Sequence, residues 1–372
     1  MNFEYSEEQQ QLADSVRKYL AGKYDFEARK ATINSASGFN NAAWSTFAEM
    51  GLTAIAFSEA DGGFGGGAVD LMASMEAFGE ALVVEPLIDQ IALAGRLIAR
   101  AGSDSQRHKL LPEVIDGSVK IACAYLERGA RYDAGPKGTV AKSSAAGWEL
   151  NGEKILVFGA ALADHWVVTA DAGGPSLFLV DPKAPGVTLS NYRTVDGQRA
   201  ADIVFHGVKL GADTLLGEAG QAGELIDEAL DFATALLCAD AIGAMKYAND
   251  ATLEYMKGRK QFGVPIASFQ VLQHRLVDMY IVTEQARSMA ILAAARVDSA
   301  TSASERKRAV SMAKIKIADA ARQVSQEAIQ LHGGMGMTEE MKVSHTFRRL
   351  TMIAQRFGDA DHHLERFAAL ST

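Results

Sequence analysis

The stretch from Lys120 to Leu216 does most to decide what this chain can fold into, because its hydrophobic pattern differs from that on either side. Apolar residues there come in short β-rich runs broken by turns. Val167-Val168-Thr169, Leu177–Val180, Val187–Leu189 and Ile203–Phe205 read as strands. Asn151-Gly152, between Trp148-Glu149-Leu150 and Lys154–Phe158, reads as a two-residue hairpin turn. The spacing predicts a small antiparallel barrel or sandwich.

Both flanks carry helical periodicity. Ser6-Glu7-Glu8-Gln9 has the form of a capping box, and Leu12, Val16, Tyr19 and Leu20 follow at helical spacing. Asn41 through Met50 reads as a second helix. Asp61-Gly62-Gly63-Phe64-Gly65-Gly66-Gly67 must be a loop, and helices resume through Val69–Phe78, Leu87–Ala101 and Ser105–Asp116. After the β segment, Glu224–Arg259 is one long helical pattern. Stripes from Leu272 to Ala293 and from Val310 to Leu331 make two more, the last stopped by Gly333-Gly334. These stripes read as core and helix-packing surface. The expected domains are 1–119 helical, 120–216 β, and 217–372 helical, with no internal repeat.

Composition narrows the function. There are 37 Lys+Arg against 46 Asp+Glu, a net charge of -9 that argues against nonspecific nucleic-acid binding. Cys123 and Cys238 are too few for a disulfide framework and predict reduced, buried thiols in a cytoplasmic protein. The acidic MNFEYSEEQQQ start reads as neither signal nor transit peptide, and no apolar run reaches membrane-spanning length. The adjacent His362-His363 share no ligand geometry, and His332 and His345 have no supporting Cys or carboxylate spacing, so no metal is expected.

Three motifs occur in order: Asp61-Gly62-Gly63-Phe64-Gly65; Arg259-Lys260-Gln261-Phe262-Gly263 followed by Phe269-Gln270; and Gln330-Leu331-His332-Gly333-Gly334-Met335-Gly336. Arg259 offers a planar fork of donors suited to a diphosphate, Phe262 an aromatic wall, and Gln270 an amide. Gly333, Gly334 and Gly336 let backbone approach a large ligand closely. With the β segment between the first two, the set resembles the acyl-CoA dehydrogenase family over nearly the whole chain. The Phe357-Gly358-Asp359-Ala360-Asp361-His362-His363-Leu364 stretch is most similar to the small subunits of heteromeric members such as pimeloyl-CoA dehydrogenase. The resemblance implies an N-terminal helical domain, a middle β-barrel and a C-terminal four-helix bundle. It also implies that Arg259, Phe262, Gln270, Gln330, Gly333, Gly334 and Gly336 contact FAD bound to a neighbouring subunit.

The departures from the family pattern are the most informative feature. Where the family reads Thr-Glu-Pro-Gly-x-Gly-Ser-Asp, this chain has Leu126-Glu127-Arg128-Gly129-Ala130-Arg131-Tyr132-Asp133. Leu126 and Tyr132 replace hydroxyls that bond flavin and substrate. Leu156 and Phe158 stand where the family carries Trp-x-Thr/Ser against the isoalloxazine. The base positions hold Phe357, where the family has the Glu of Tyr-Glu-Gly-Thr, and Ala233-Thr234, where it has a Glu-Arg pair. A positioned base is worth about 10²–10⁴ in rate, and neither Phe nor Ala supplies one. Asp359 and Asp361 stand where the family has Thr and Gln facing the diphosphate, which predicts repulsion. Asp240, inside an apolar run, should be paired or protonated; it and Asp359 are the two carboxylates that could act as a displaced base.

The resemblance therefore implies a catalytically degenerate subunit of a heteromeric, FAD-dependent acyl-CoA dehydrogenase. The partner chain would carry the catalytic Glu, in an α2β2 heterotetramer sharing its FAD. The reaction of such a complex is α,β-dehydrogenation of an acyl-CoA. Two alternatives stay open: an active homomeric flavoenzyme with a displaced base or different chemistry, and a non-enzymatic acyl-CoA-binding or scaffold protein.

Overall fold

The computed structural model describes residues 5–370. The chain divides into two compact units, one of residues 1–30, 68–83 and 234–372, the other of residues 31–67 and 84–233.

The second unit is built on an eight-stranded sheet. Its strands are β1 (Ile121–Ala124), β2 (Val140–Ser144), β3 (Gly147–Phe158), β4 (His165–Asp171), β5 (Pro175–Val180), β6 (Val187–Arg193), β7 (Arg199–Leu210) and β8 (Leu215–Leu216). Their order is β6-β7-β3-β2-β4-β5-β8, with β1 added on β4. Most neighbours are antiparallel, but β4 pairs parallel with both β1 and β2, which the alternation alone did not reveal. Leu150, Trp166, Val168, Phe178, Ile203 and Phe205 fill the core, and the Trp166 indole donates to the Ala160 carbonyl at 3.0 Å.

Asn151-Gly152 is not a hairpin turn. It lies inside β3, and the actual β2–β3 hairpin pairs Ser144 with Gly147. The ladder to β7 is irregular between Leu150 and Gly152, where Gly152 has φ +143°. A Cβ there would lie 2.5 Å from the Thr139 Cα, so glycine serves a bulge and a close approach. The Asn151 side-chain Oδ1 accepts from the Gly207 N–H at 2.8 Å, a second bond that holds the bulge.

Helices α2 (Phe26–Asn34, in part), α3 (Asn41–Glu49), α5 (Arg96–Ala101) and α6 (Asp104–Ile115) belong to this unit, as does a π-helix over Ile88–Gly95. The helix expected over 87–101 forms without a break, but Ile88–Gly95 is wound as π before α5, and Gln90 anchors that part. Its side chain donates to the Val119 carbonyl at 3.0 Å and accepts from the Ile121 N–H at 2.9 Å, tying the widened turns to β1. Every residue of the π-helix is buried. Such turns are rare and concentrate at functional sites.

The first unit is helical. It contains α1 (Glu7–Lys23), α4 (Ala68–Ala81), α7 (Gly223–Gly258, from Thr234 onward), α8 (Gln270–Ser299), α9 (Ala303–His332), α10 (Lys342–Gln355) and α11 (Ala360–Ala369). The α1 capping box forms as the sequence predicts, with Ser6 and Gln9 bonding reciprocally. Gly79 and Gly243 let α4 and α7 touch backbone to backbone: a Cβ on either would lie under 2 Å from a carbonyl oxygen of the other helix. The Asp298 carboxylate, from the end of α8, caps α4 through the N–H groups of Ala68 and Val69 at 2.8 and 2.9 Å.

Candidate functional site

One end of the helical unit gathers the cross-subunit residues expected from the sequence. Between α7 and α8 lies a tiny hairpin, β9 (Lys260–Gln261) with β10 (Val264–Pro265). Its two turn residues are Phe262 at φ +53° and Gly263 at φ +82°, the left-handed pair of a type I′ turn. Asparagine suits that first position; phenylalanine costs about 1–2 kcal/mol there. What results is a ring that is 92% exposed at the hairpin tip, leaning edge-on to Phe269 at 6.1 Å. Arg259 is exposed beside it, and among the described residues no acceptor holds its guanidinium. Gln270 and Gln330 are also exposed. Tyr255 stacks on His332 at 4.4 Å and Arg275 bonds Glu327 at 2.6 Å, which brings the end of α7 and the start of α8 to the end of α9. There Gly333 has φ +60°, and Cβ atoms at Gly333 and Gly334 would meet nothing within 4 Å. Gly336 differs: it is buried, and a Cβ would collide with the Ile329 carbonyl at 2.8 Å. Gly333 and Gly334 therefore form an open surface, while Gly336 packs the turn.

The loop expected to carry a catalytic carboxylate holds Phe357 instead, at φ +60°. Two buried groups fix that loop: Lys314, which the sequence does not single out, and His363, which it weighs only as a metal ligand. The Lys314 ammonium, from α9, donates to the Gly358 carbonyl at 2.6 Å and the Ala354 carbonyl at 3.2 Å. His363 bonds the Phe357 carbonyl at 3.0 Å through Nε2 and the Ser311 hydroxyl at 3.2 Å through Nδ1. Asp359 caps α11, accepting from the His362 N–H at 2.8 Å, so its carboxylate has a local purpose. Asp240 is wholly buried and bidentate with Arg349 of α10, at 2.6 and 3.3 Å. Ala233 is buried in α7.

His363 makes the fold acid-sensitive. Burial, then the charge of Lys314, push its imidazole down from 6.5 to about 2. A folded value below the unfolded one means this stability is complete above pH 6.5 and is lost as pH falls below it. The unfolding free energy is expected to drop by about 1.4 kcal/mol per pH unit below 6.5 from this residue. His363→Gln keeps a donor and an acceptor and should remove that slope. Urea denaturation from pH 7 to 4.5 measures it, and an unchanged slope in the variant would disprove the assignment.

In the sheet unit, Glu127 and Lys154 form a buried pair that sequence reasoning also missed. Glu127 accepts from the N–H groups of Lys137, Gly138 and Thr139 at 2.9, 2.6 and 3.2 Å, and from the Lys154 ammonium at 2.7 Å. Lys154 also donates to the Thr169 hydroxyl at 2.8 Å. Burial raises the Glu127 carboxyl, but the Lys154 bond and charge and the backbone donors outweigh it and bring it to about 2. The pair holds the loop that carries Leu126 and Tyr132. The Ile155 N–H donates to the Leu126 carbonyl at 2.9 Å, which ties Leu126 to the residue before Leu156. Leu156 has φ +54°, and its N–H is held by Asp202 at 3.1 Å; Asp202 also accepts from the Tyr192 hydroxyl at 2.7 Å. Phe158 is buried.

Five non-glycine residues among those described have positive φ: Leu82, Arg131, Leu156, Phe262 and Phe357. Four of them fall on positions where this chain departs from, or matches, the motifs quoted above. Arg131 keeps the left-handed backbone at a place where the motif has glycine. Strained backbone of this kind costs about 1–3 kcal/mol per residue and clusters at functional sites.

Two half-sites result, with opposite fitness for a flavin. The bundle-end group fits: an unheld guanidinium, an exposed ring and a glycine surface with open space. The sheet-unit group does not: Leu126, Leu156 and Phe158 offer no hydroxyl and no indole.

A three-part helix–sheet–helix chain with these motifs is the architecture of a flavin-dependent acyl-thioester oxidoreductase. Three acyl-CoA dehydrogenase models match in order, the N-terminal domain over residues 6–118, the middle domain over 122–208 and the C-terminal domain over 222–369. The "Caffeyl-CoA reductase-Etf complex subunit CarC" of Acetobacterium woodii is 31% identical, over 81% of this chain and 82% of its own. Among solved structures, a variant of the "Tcur3481-Tcur3483 steroid ACAD" is 30% identical with a TM-score of 0.88, over 98% of both chains. The ChsE4-ChsE5 complex from Mycobacterium tuberculosis shares the fold, at 24% identity and a TM-score of 0.90, over 99% of this chain and 98% of that one. This protein belongs to the acyl-CoA dehydrogenase family, whose members are FAD-binding oxidoreductases. No helix of the described residues is long and apolar enough to cross a membrane.

Proposed function

We propose that this chain is the catalytically degenerate subunit of a heteromeric acyl-CoA dehydrogenase. It lends a wall to the FAD site of a partner chain that carries the catalytic Glu. The observation that carries this reading is the contrast in side chains: Leu156, Phe158 and Phe357 offer neither hydroxyl nor carboxylate, while Phe262 stays 92% exposed at the bundle end that holds the open Gly333–Gly334 surface. The relatives add support, since the ChsE4-ChsE5 protein is a complex and CarC is named as a complex subunit.

In such an assembly Arg259 would bond the diphosphate, Phe262 would shield it from water, and Gly333 and Gly334 would admit it closely. Gln270 and Gln330 would meet polar edges. When bound, the flavin supplies a hydride acceptor. Phe357 leaves this chain with no carboxylate at the usual base position, so the α-proton would go to the partner.

The test is flavin content. The chain expressed alone is expected to hold far less than one FAD per chain after desalting. Co-expression with an acyl-CoA dehydrogenase chain bearing an intact Glu should give a yellow complex with fewer flavins than chains. In that complex Arg259→Ala should weaken FAD by about one to two orders of magnitude, the loss of a charge-assisted bond worth about 1.5–3 kcal/mol, with assembly unchanged. A ratio near one FAD per chain for the isolated protein would overturn the reading in favour of the homomeric alternative.

A further inference from the structure

Among the described residues, burial lowers the ammonium groups of three lysines to about 8: Lys154, Lys314 and Lys342. The first two are inaccessible struts, each donating to oxygens within its own unit. Lys342 differs. It opens α10, is only half-buried, and its Nζ sits 4.0 Å from the centre of the Tyr247 ring. Among the described residues no oxygen accepts a hydrogen bond from it.

Lys342 also lines an open cavity of about 360 Å³ within the helical unit. Leu20, Ala21, Phe26, Ala77 and Ala81 give it an apolar floor. The charged and titratable groups facing it are Arg17 of α1, Tyr24 and Asp25 of the α1–α2 link, Glu80 of α4 and Tyr247 of α7. After burial, Glu80 favours the charged amine, and Arg29 of α2 disfavours it. The π face of Tyr247 attracts a cation but takes no proton from it. A lysine held this way spends a sizeable fraction of its time as a free amine near neutral pH, with an apolar recess beside it.

We propose that Lys342 is a site of Nε-acylation by acyl thioesters, the class of compound its family handles, with the short acyl chain entering the recess over Tyr247. The neutral amine attacks the thioester carbonyl carbon. A C–N bond forms, the C–S bond breaks, and the leaving thiolate takes up the proton that nitrogen releases. The products are an amide on Lys342 and a free thiol, with no oxidant or reductant required. Acylation removes the charge and the cation–π contact together, which gives the modification a structural consequence at the start of α10.

The experiment incubates the intact protein with acetyl-CoA between pH 6.5 and 9.5 and follows each lysine by quantitative peptide mass spectrometry. At pH 7.5 Lys342 should be acylated about tenfold or more faster than the exposed Lys18 and Lys109, with a rate half-maximal near pH 8. Glu80→Gln removes the carboxylate that favours the ammonium and should speed the reaction at pH 7. A Lys342 rate equal to that of Lys18, or one still climbing toward pH 10, overturns the proposal.

Discussion

Lys154→Met is expected to lower the free energy of unfolding by about 3–5 kcal/mol, because it strands the buried Glu127 carboxylate without its counter-charge. Glu127→Gln should do comparable damage from the other side, leaving an ammonium with 0% exposure beside an amide. The backbone makes the pair more than a local contact. Three successive N–H groups, from Lys137 to Thr139, converge on the carboxylate and close the loop that begins at Glu127. Loosening it should expose that loop to protease before the rest of the sheet unfolds. The acid titration separates this pair from His363. With the Glu127 carboxyl depressed from 4.5 to about 2, its stabilisation is complete above pH 4.5 and disappears between there and about 2. The His363 contribution starts to fail earlier, below 6.5. In Lys154→Met the lower window should shrink while the upper one persists. Urea unfolding at pH 7 and 3.5 measures both, and a loss under 1 kcal/mol at pH 7 would show that the pair is not the clasp.

What the sequence makes legible here follows from the range of the interactions. The long helices are written in periodicity and caps, so Ser6 and Gln9, or the stop at Gly333, can be read directly. Asn151-Gly152 reads as a turn yet is a bulge, because a glycine at positive φ serves either, and only the approach of Thr139 distinguishes them. The π-helix was invisible because its cause, the two bonds of Gln90 to Val119 and Ile121, lies some thirty residues away. Lys154 reads as an ordinary strand lysine, and its burial depends on Glu127 arriving from a loop and Thr169 from β4. The bundle-end residues were legible because Arg259, Phe262 and the glycines form short motifs. The strain at Phe262 was not, since phenylalanine gives no hint of a left-handed turn.

Asp240 is the case where sequence and structure meet most closely, and it carries the sharpest prediction about chemistry. A carboxylate inside Ala235–Ile242 is expected to be paired or protonated, and it is paired, with Arg349, 109 residues further on. Both oxygens accept from that guanidinium and the residue is wholly buried, so neither oxygen is open to a substrate α-carbon. Asp240→Asn keeps the shape and removes the charge. It is expected to cost about 3–5 kcal/mol of stability by removing the carboxylate charge that faces the buried Arg349 guanidinium. The double variant Asp240→Leu, Arg349→Met should recover much of this, because replacing a buried ion pair by apolar groups of similar volume is often neutral. The chemical step should respond quite differently. If the partner chain holds the base, the folded Asp240→Asn protein in the assembled complex should be reduced by acyl-CoA within about tenfold of the wild-type rate, whereas loss of a true base costs about 10²–10⁴. Single-turnover flavin bleaching isolates that step from product release. A thousandfold slower bleach, with flavin content and assembly intact, would place the base on this chain and make it an active subunit in its own right.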